Sequence, residues 1–559
     1  MSDAPPPVLP LVTPETEFFW TSGKDGVLRV LQCDSCTALI HPPKPICPRC
    51  RSWEQHAQEL SGNGIVFGYT VNERFGLPGI PPPYVIAEVA LDEDPRVRLT
   101  TRITGCEPDQ VHLGQPVEVV FDQQGDASGD VWFPLFRPRT DDTVIREIPD
   151  DEIAPQDYPA RVRPRASSTK FEDKAIISGV GASGIGRRLG RPPLALTIEA
   201  CERAVADAGL TFDDIDGLST YPAGTADGGY SEGGVTALES ALRINPTWYN
   251  GGGETFGPGG SVIAAMMAVA TGLARHVLCF RTVWQATNDD WVKQGRLPRP
   301  AMGRASGLMG WSMPFGAISA AHTLAQTAHR HFHKYGTTKE TLGWIALNQR
   351  ANAALNPEAI YRDPLTMDEY LAARSITTPF GLLDCDVPCD ASVAVIVSAA
   401  DTAGDLAVTP IRVEAVGTQI MEPLPWDQST STHEPQVLGP ASHLWTRTDL
   451  TPADVDIAQL YDGFSFNCLS WIEALGFCGI GEAKDFLDGG HNIARDGILP
   501  LNTHGGQLSH GRTHGMGLLR EAIVQLRGDA GERQVSGAKV GVVSSGGLTP
   551  SGVILLRAD

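Results

Sequence analysis

A chain of 559 residues with 60 glycines and 42 prolines is too long for one compact core, so about two to four domains with many tight connections are expected. A formal charge of −22 argues against a general nucleic-acid binder, because phosphate neutralisation needs a basic surface, though a local basic pocket remains allowed. Met1-Ser-Asp-Ala-Pro-Pro-Pro offers neither a basic start nor an apolar signal core, and no run approaches membrane-spanning length. A cytoplasmic protein without a membrane partner is expected.

The first signal along the chain is metal spacing, after a short helical lead-in from residue 15. Cys33-x2-Cys36 and Cys47-x2-Cys50 supply four thiolates, enough to close a tetrahedral site around structural zinc with no open position for water. The other seven cysteines are scattered in apolar surroundings and read as small core residues. After Gly62-Asn-Gly64 come strand-length runs at 65–71, 84–91, 97–103 and 116–121. With no helical pattern between them they predict a small β-barrel over residues 56–140. Residues 141–172 read as a linker, in which Arg161, Arg163 and Arg165 are solvated charge or, in a second reading, touch a CoA phosphate.

From Lys174 the pattern turns α/β. Ala175–Val180 predicts a strand and Leu194–Ala208 an amphipathic helix. Gly179-Val-Gly-Ala-Ser-Gly184 matches a dinucleotide fingerprint, but the helix starts some ten residues too late and no strand-end acid follows, so that reading is rejected. A repeat is more telling. Leu210-Thr-Phe-Asp-Asp-Ile-Asp216 returns 240 residues later as Leu450-Thr-Pro-Ala-Asp-Val-Asp456, and each copy leads into an apolar strand. Each half also has a glycine-rich turn opening a helix, at Gly257 and at Gly511–Gly517. Duplicated half-domains over 173–405 and 406–559 follow. Residues 281–378, rich in Trp, Met and His, predict a loop region over the site, with His322, His329, His331 and His333 on a packed or solvated helix and not on a metal.

The stretch 502–517 packs five glycines with His504, His510, His514 and Arg512, directly before a helix at 518–527. Such a loop lets backbone approach a ligand closely and sits at a natural anion site.

Two resemblances organise these pieces. The paired knuckles, GxGxVxxxT, Pro-Tyr-Val-Ile-Ala-Glu-Val-Ala-Leu and Leu-Gly-Gln-Pro-Val-Glu-Val-Val-Phe resemble the rubredoxin-type zinc ribbon plus OB-fold proteins that accompany thiolase-like enzymes. Asp-Ala-Gly-Leu-x4-Ile-Asp-Gly, the Tyr461-Asp-Gly-Phe464 box, Asn502-x2-Gly-Gly-x-Leu-Ser509 and Ser544-Ser-Gly-Gly547 are similar to the lipid-transfer branch of the thiolase superfamily. The resemblance implies a multidomain chain: zinc ribbon, OB-fold barrel, then a duplicated α/β thiolase-like fold.

The departures shape the implied chemistry. Phe256 and Val543 stand where a thiolase carries its two cysteines, and Arg512 stands at the histidine position of the last box. Without a thiolate, acyl transfer through the enzyme has no nucleophile. The YDxF box is instead similar to that of lipid-transfer-protein aldolases, which implies retro-aldol cleavage of a β-hydroxyacyl-CoA, such as a steroid side-chain thioester, into a ketone or aldehyde and a shortened acyl-CoA. On that reading Tyr461 is the acid/base group, helped toward phenolate by Arg512, with His510 as its complement, His514 in reserve and Asp462 orienting. Gly505, Gly506, Ser509, Phe256 and Gly546 are the substrate-binding positions, the first two helping to hold the enolate oxygen. The resemblance also implies a CoA thioester as substrate, a homodimer, and a separate enoyl-CoA hydratase as possible partner. A cysteine-independent condensing enzyme and a non-catalytic acyl-CoA or sterol carrier are the alternatives.

Overall fold

A computed structural model describes residues 8–149 and 169–558, apart from residues 75, 77, 78, 222–230, 253, 254, 256, 299–302, 424 and 547–550. Arg161, Arg163, Arg165, Phe256 and Gly547 therefore lie outside the described residues. The chain opens with α1 (Glu17–Trp20) and a small antiparallel sheet of β1 (Arg29–Cys33), β2 (Leu39–Ile40) and β3 (Gln55–Glu59). The turns of this sheet carry the four cysteines, whose sulfurs all lie within 4.8 Å of one another. Tetrahedral zinc with bonds of about 2.3 Å needs that spacing, so the ribbon fits a structural zinc ion.

Next come β4 (Asn63–Asn72), β5 (Tyr84–Leu91), β6 (Arg98–Ile103), β7 (Pro116–Asp126) and β8 (Gly129–Pro138). Pairing of β4 with β7 closes them into a barrel. Valines and phenylalanines alternating inward, among them Val66, Val89, Val117 and Phe133, fill it. The fifth strand lies in a run that the sequence reading left unassigned, because Pro134 and Pro138 obscure it.

The α/β part begins with β9 (Ala175–Ala182), α2 (Pro193–Ala208), β10 (Gly217–Thr220), α3 (Gly234–Leu242), β11 (Trp248–Asn250), α4 (Pro258–Ala270), β12 (His276–Trp284) and α5 (Gln285–Lys293). α2 starts on a proline whose missing N–H costs nothing there, and it stops at Gly209 in the left-handed conformation (φ 73°). Gly179 and Gly181 do not cradle phosphate. A side chain on either would collide with carbonyls of Ala204 or Ala200, so both serve the close approach of α2 to β9.

Residues 281–378 are not a loop region. They hold α6 (Ala320–Tyr335), α7 (Lys339–Ala354), α8 (Met367–Leu371) and β13 (Ser375–Thr377), with β14 (Phe380–Gly381) just beyond. α6 is the helix expected for the four histidines, and it is a packed one: His322 and His331 are fully buried and face neighbours, His331 against Glu473 at 3.1 Å. β13 pairs with β4, so this excursion extends the barrel's own sheet.

β15 (Asp390–Ala399) completes the first half, and the second adds β16 (Ile411–Gly417), α9 (Leu438–Trp445), β17 (Ile457–Gln459), α10 (Ser465–Ala474), α11 (Ala483–Phe486), α12 (Met516–Arg527), β18 (Val540–Ser545) and β19 (Gly552–Arg557). One nine-stranded sheet runs β11-β10-β12-β15-β9-β16-β19-β18-β17. Read outward from its centre, β9, β15, β12, β10 repeat as β16, β19, β18, β17, which is the duplication in space. The repeated sequence does the same work twice. Thr211 and Thr451 box the turns with Asp214 and Asp454. Asp216 accepts from the amides of Arg275 and His276, as Asp456 does from Lys539 and Val540.

Candidate active site

Three segments are laced together at the end of β17. Asn502 clamps Leu460 from both sides, accepting its amide at 2.7 Å and donating to its carbonyl at 2.9 Å. Ser544 Oγ on β18 accepts the Tyr461 amide at 2.8 Å. Asp386 donates its amide to Gly463 O, Val387 donates to Gln507 O, and Arg512 donates back to Val387 O, each at 3.0 Å. Residues 385–389, 461–464 and 505–512 are therefore tied to one another by backbone hydrogen bonds.

At its centre is the buried phenol of Tyr461. Burial pushes its pKa well up, the Asp386 and Glu434 carboxyls add to that, and Arg512 and Gln507 pull the other way without prevailing. Arg512 pulls toward phenolate, as expected, but burial outweighs it and the group stays a neutral phenol. Asp386 is partly buried, its side chain 10% exposed. Desolvation raises its carboxyl to about 6 against the opposing pull of Arg512, whose Nε lies 3.3 Å from Asp386 Oδ2. Arg512 also donates to Gln285 Oε1. Glu434 has no exposed surface and neither of its carboxylate oxygens has a hydrogen-bond partner among the described residues. Burial lifts it to about 8, against the neighbouring Asn467 amide and His433. The arrangement can donate a proton from Tyr461, accept one at Asp386, and keep Glu434 uncharged near neutral pH.

Comparisons place this geometry. Residues 20–54 match the family model described as the ChsH2 rubredoxin-like zinc ribbon domain, residues 57–122 the ChsH2 C-terminal OB-fold domain, and residues 441–556 the thiolase C-terminal domain-like model. The chain is 34% identical over 388 residues to the steroid side-chain-cleaving aldolase of Thermomonospora curvata, covering 68% of this chain and 97% of that one. It is 37% identical over 396 residues to the 17-hydroxy-3-oxo-4-pregnene-20-carboxyl-CoA lyase of Mycobacterium tuberculosis, covering 68% and 99%. A solved Ltp2-ChsH2(DUF35) aldolase superposes with a TM-score of 0.61 at 33% identity, covering 69% of this chain and 98% of that one. The chain belongs to this thiolase-like aldolase family. A monomeric SCP2-thiolase-like protein from Mycobacterium smegmatis shares the fold, with a TM-score of 0.52 at 16% identity over 69% of this chain and 78% of that one. In this aldolase the ribbon and barrel stand in one chain with the thiolase-like part.

The other expected site residues divide. Asp462 holds the loop: its Oδ1 accepts the Gln507 amide at 2.8 Å, and a side chain on Gly506 would occupy the place of its Oδ2. Burial raises Asp462 to about 7, with Gln507, Gln349 and Asn502 opposing. His514 lies between two guanidiniums. Its Nδ1 meets Arg281 Nη2 at 2.6 Å, and burial together with Arg281 and Arg512 holds it neutral. His510 is not beside Tyr461, contrary to expectation. Its ring packs on His504 at 4.7 Å, near the Glu358–Arg520 pair, and burial keeps it neutral. Gly505 packs against Ala353 of α7 and spends its amide on Asn502 O at 2.9 Å, so that amide does not face an enolate. Ser509 accepts from Arg350 at 3.1 Å, on the α7 side. Gly546 faces Glu434 and Trp471.

Sequence reasoning missed Asp386, Glu434 and Arg281 in this aldolase. A usable signal for Asp386 was an acid set between Cys385 and Cys389 at the entrance to a buried strand. Cys389, read as core filler, donates its thiol to Arg512 O at 3.1 Å, and burial pushes it up to about 12, so it supplies no thiolate. Among the described residues no helix is long and apolar enough to cross a membrane.

Proposed function

We propose that this aldolase cleaves the β-hydroxyacyl-CoA of a steroid side chain, the substrate class that its relatives' names carry. Asp386 takes the proton from the β-hydroxyl as the Cα–Cβ bond breaks and a ketone or aldehyde leaves. The electron pair moves onto the thioester as an enolate. Tyr461 donates to that enolate and delivers the proton that completes the shortened acyl-CoA, acetyl- or propionyl-CoA. Arg281 and Arg512, with the neutral His514 ring between them, supply positive potential at the developing oxyanion. The observation that carries this reading is the buried Tyr461 phenol beside Asp386, whose segment is bonded to the YDGF box at Gly463 and whose carboxyl lies 3.3 Å from Arg512 Nε. A general base that titrates just below neutrality suits the reaction.

Tyr461→Phe and Asp386→Asn should each lower single-turnover cleavage by about 10²–10⁴-fold while zinc content and folding stay unchanged. Wild-type rates in either variant would remove that residue from the mechanism. The β11 edge of the sheet is open, with Tyr249 67% exposed beside Met267 at 50% and Leu273 at 55%, which supports a homodimer through that edge. A β-hydroxyacyl-CoA arises by adding water to an enoyl-CoA, so an enoyl-CoA hydratase is the partner chemistry this function requires.

A further inference from the structure

The duplication carries one residue that the mechanism above does not use. The offset of 240 that relates Leu210–Asp216 to Leu450–Asp456 also relates Tyr221 to Tyr461. The match holds in space. β10 and β17 occupy equivalent places in the nine-stranded sheet, each paired in parallel with its inner neighbour, β12 or β18. Tyr221 directly follows β10, and Tyr461 stands two residues after β17. Each tyrosine therefore sits at the C-terminal end of its strand, where α/β sheets gather ligand-binding groups.

The glycine turns bring those two ends together. A side chain on Gly257, at the turn that opens α4, would collide with the carbonyl of His514, and one on Gly515 would press on Pro258 at 3.1 Å. Ser545 Oγ, at the end of β18, accepts the amide of Gly259 at 3.0 Å. Across this contact His514 Nδ1 meets Arg281 Nη2 of β12 at 2.6 Å, and the Arg281 guanidinium lies 5.9 Å from the centre of the Tyr221 ring. Two residues before His514, Arg512 faces Asp386 and pulls on Tyr461. One tyrosine from each half thus stands on either side of the two guanidiniums. Tyr461 is buried, whereas Tyr221 keeps part of its surface exposed. Burial still pushes Tyr221 up to about 12 against the pull of Arg281, so it holds its proton near neutral pH.

We propose that Tyr221 is a second catalytic phenol, which keeps its proton and donates a hydrogen bond to the enolate oxygen beside Arg281 while Tyr461 protonates the carbon. The enolate rests on the proposed function; the placing of Tyr221 does not. A donor beside developing charge acts more on the transition state than on the bound substrate.

Tyr221→Phe removes only the donor. Single-turnover cleavage should fall about 10²–10³-fold with zinc content and melting temperature unchanged. Isothermal titration then separates a donor from a packing residue. Propionyl-CoA should bind the variant and the wild type equally. A nitroalkyl-CoA, ionised to a nitronate that presents an oxyanion near the enolate's place, should bind the variant about tenfold more weakly. Full cleavage in Tyr221→Phe, or an equal change in affinity for both ligands, overturns the inference. If the variant loses its zinc or its fold, 3-fluorotyrosine at position 221 takes its place. That stronger donor of nearly the same shape should tighten nitronate binding, and unchanged affinity overturns the inference. A wild type that cleaves no steroid β-hydroxyacyl-CoA removes the proposed function and this inference together, whereas cleavage that survives loss of the Tyr221 hydroxyl removes this inference alone.

Discussion

At the scale of single residues, the site works by setting apart the proton affinities of two groups that share one buried space. Asp386 at about 6 and Tyr461 far above it cannot exchange roles near neutral pH. Cleavage should therefore fall as pH drops through about 6, because the base becomes protonated. Asp386→Asn should flatten that limb along with losing rate, and a pH–rate profile of the variant that keeps the wild-type limb would assign it to another group. Tyr461 was legible in the YDGF box. Asp386 and Glu434 were not, since their importance comes from burial beside the phenol, and burial joins segments far apart in the chain. His510 misled for the same reason: its place in a histidine-rich loop says nothing of which wall it faces, and it faces His504. Gly506 was named for approach to substrate, but its hydrogen makes room for the Asp462 carboxylate. Gly506→Ala should cost about 1–3 kcal/mol through its left-handed φ of 57°, read as a lower denaturation midpoint.

At the scale of elements, strands and caps were readable wherever pattern and punctuation agreed, as at β9, α2 and the paired Thr-x-x-Asp turns. They failed where polar side chains were destined for the core. α7, which buries Asn348, Gln349 and Asn352, was not read as a helix, whereas α6, which holds the barrel against the thiolase-like part, was expected as a packed or solvated one. The zinc ribbon shares in that contact. His41 lies edge-on to Trp311 at 4.9 Å, and Trp20 stacks on the same ring at 5.2 Å. Removing zinc with a chelator should therefore shift the tryptophan emission as well as unfolding the ribbon. Metal loss with unchanged emission would mean that the ribbon is energetically separate.

For the whole molecule, the buried ionisable groups predict a stability maximum between about pH 6 and 7. His41, His322 and His504 are held by burial at about 4, 4 and 3, and His510 and His514 are also held well below their usual value. Their depressed pKa values mean that the unfolded chain takes up protons first, so stability is lost as pH falls below about 6.5. Asp386, Asp462 and Glu434, raised to about 6, 7 and 8, act in the opposite sense. The folded chain keeps their protons longer, and stability is lost as pH rises through those values. More histidines than carboxyls titrate on the acid side, so the acid limb should be the steeper in a series of melting temperatures, and a midpoint that climbs steadily to pH 9 would contradict this. The central claim, carbon–carbon cleavage without a thiolate, is tested most directly by mass spectrometry of acyl-CoA products. The protein is given a steroid β-hydroxyacyl-CoA in one reaction and a β-ketoacyl-CoA with free CoA in another. A shortened acyl-CoA with its matching ketone or aldehyde from the first, and nothing from the second, is the predicted result. Two acyl-CoAs from the second reaction would contradict it, because they require the nucleophile that this site does not hold.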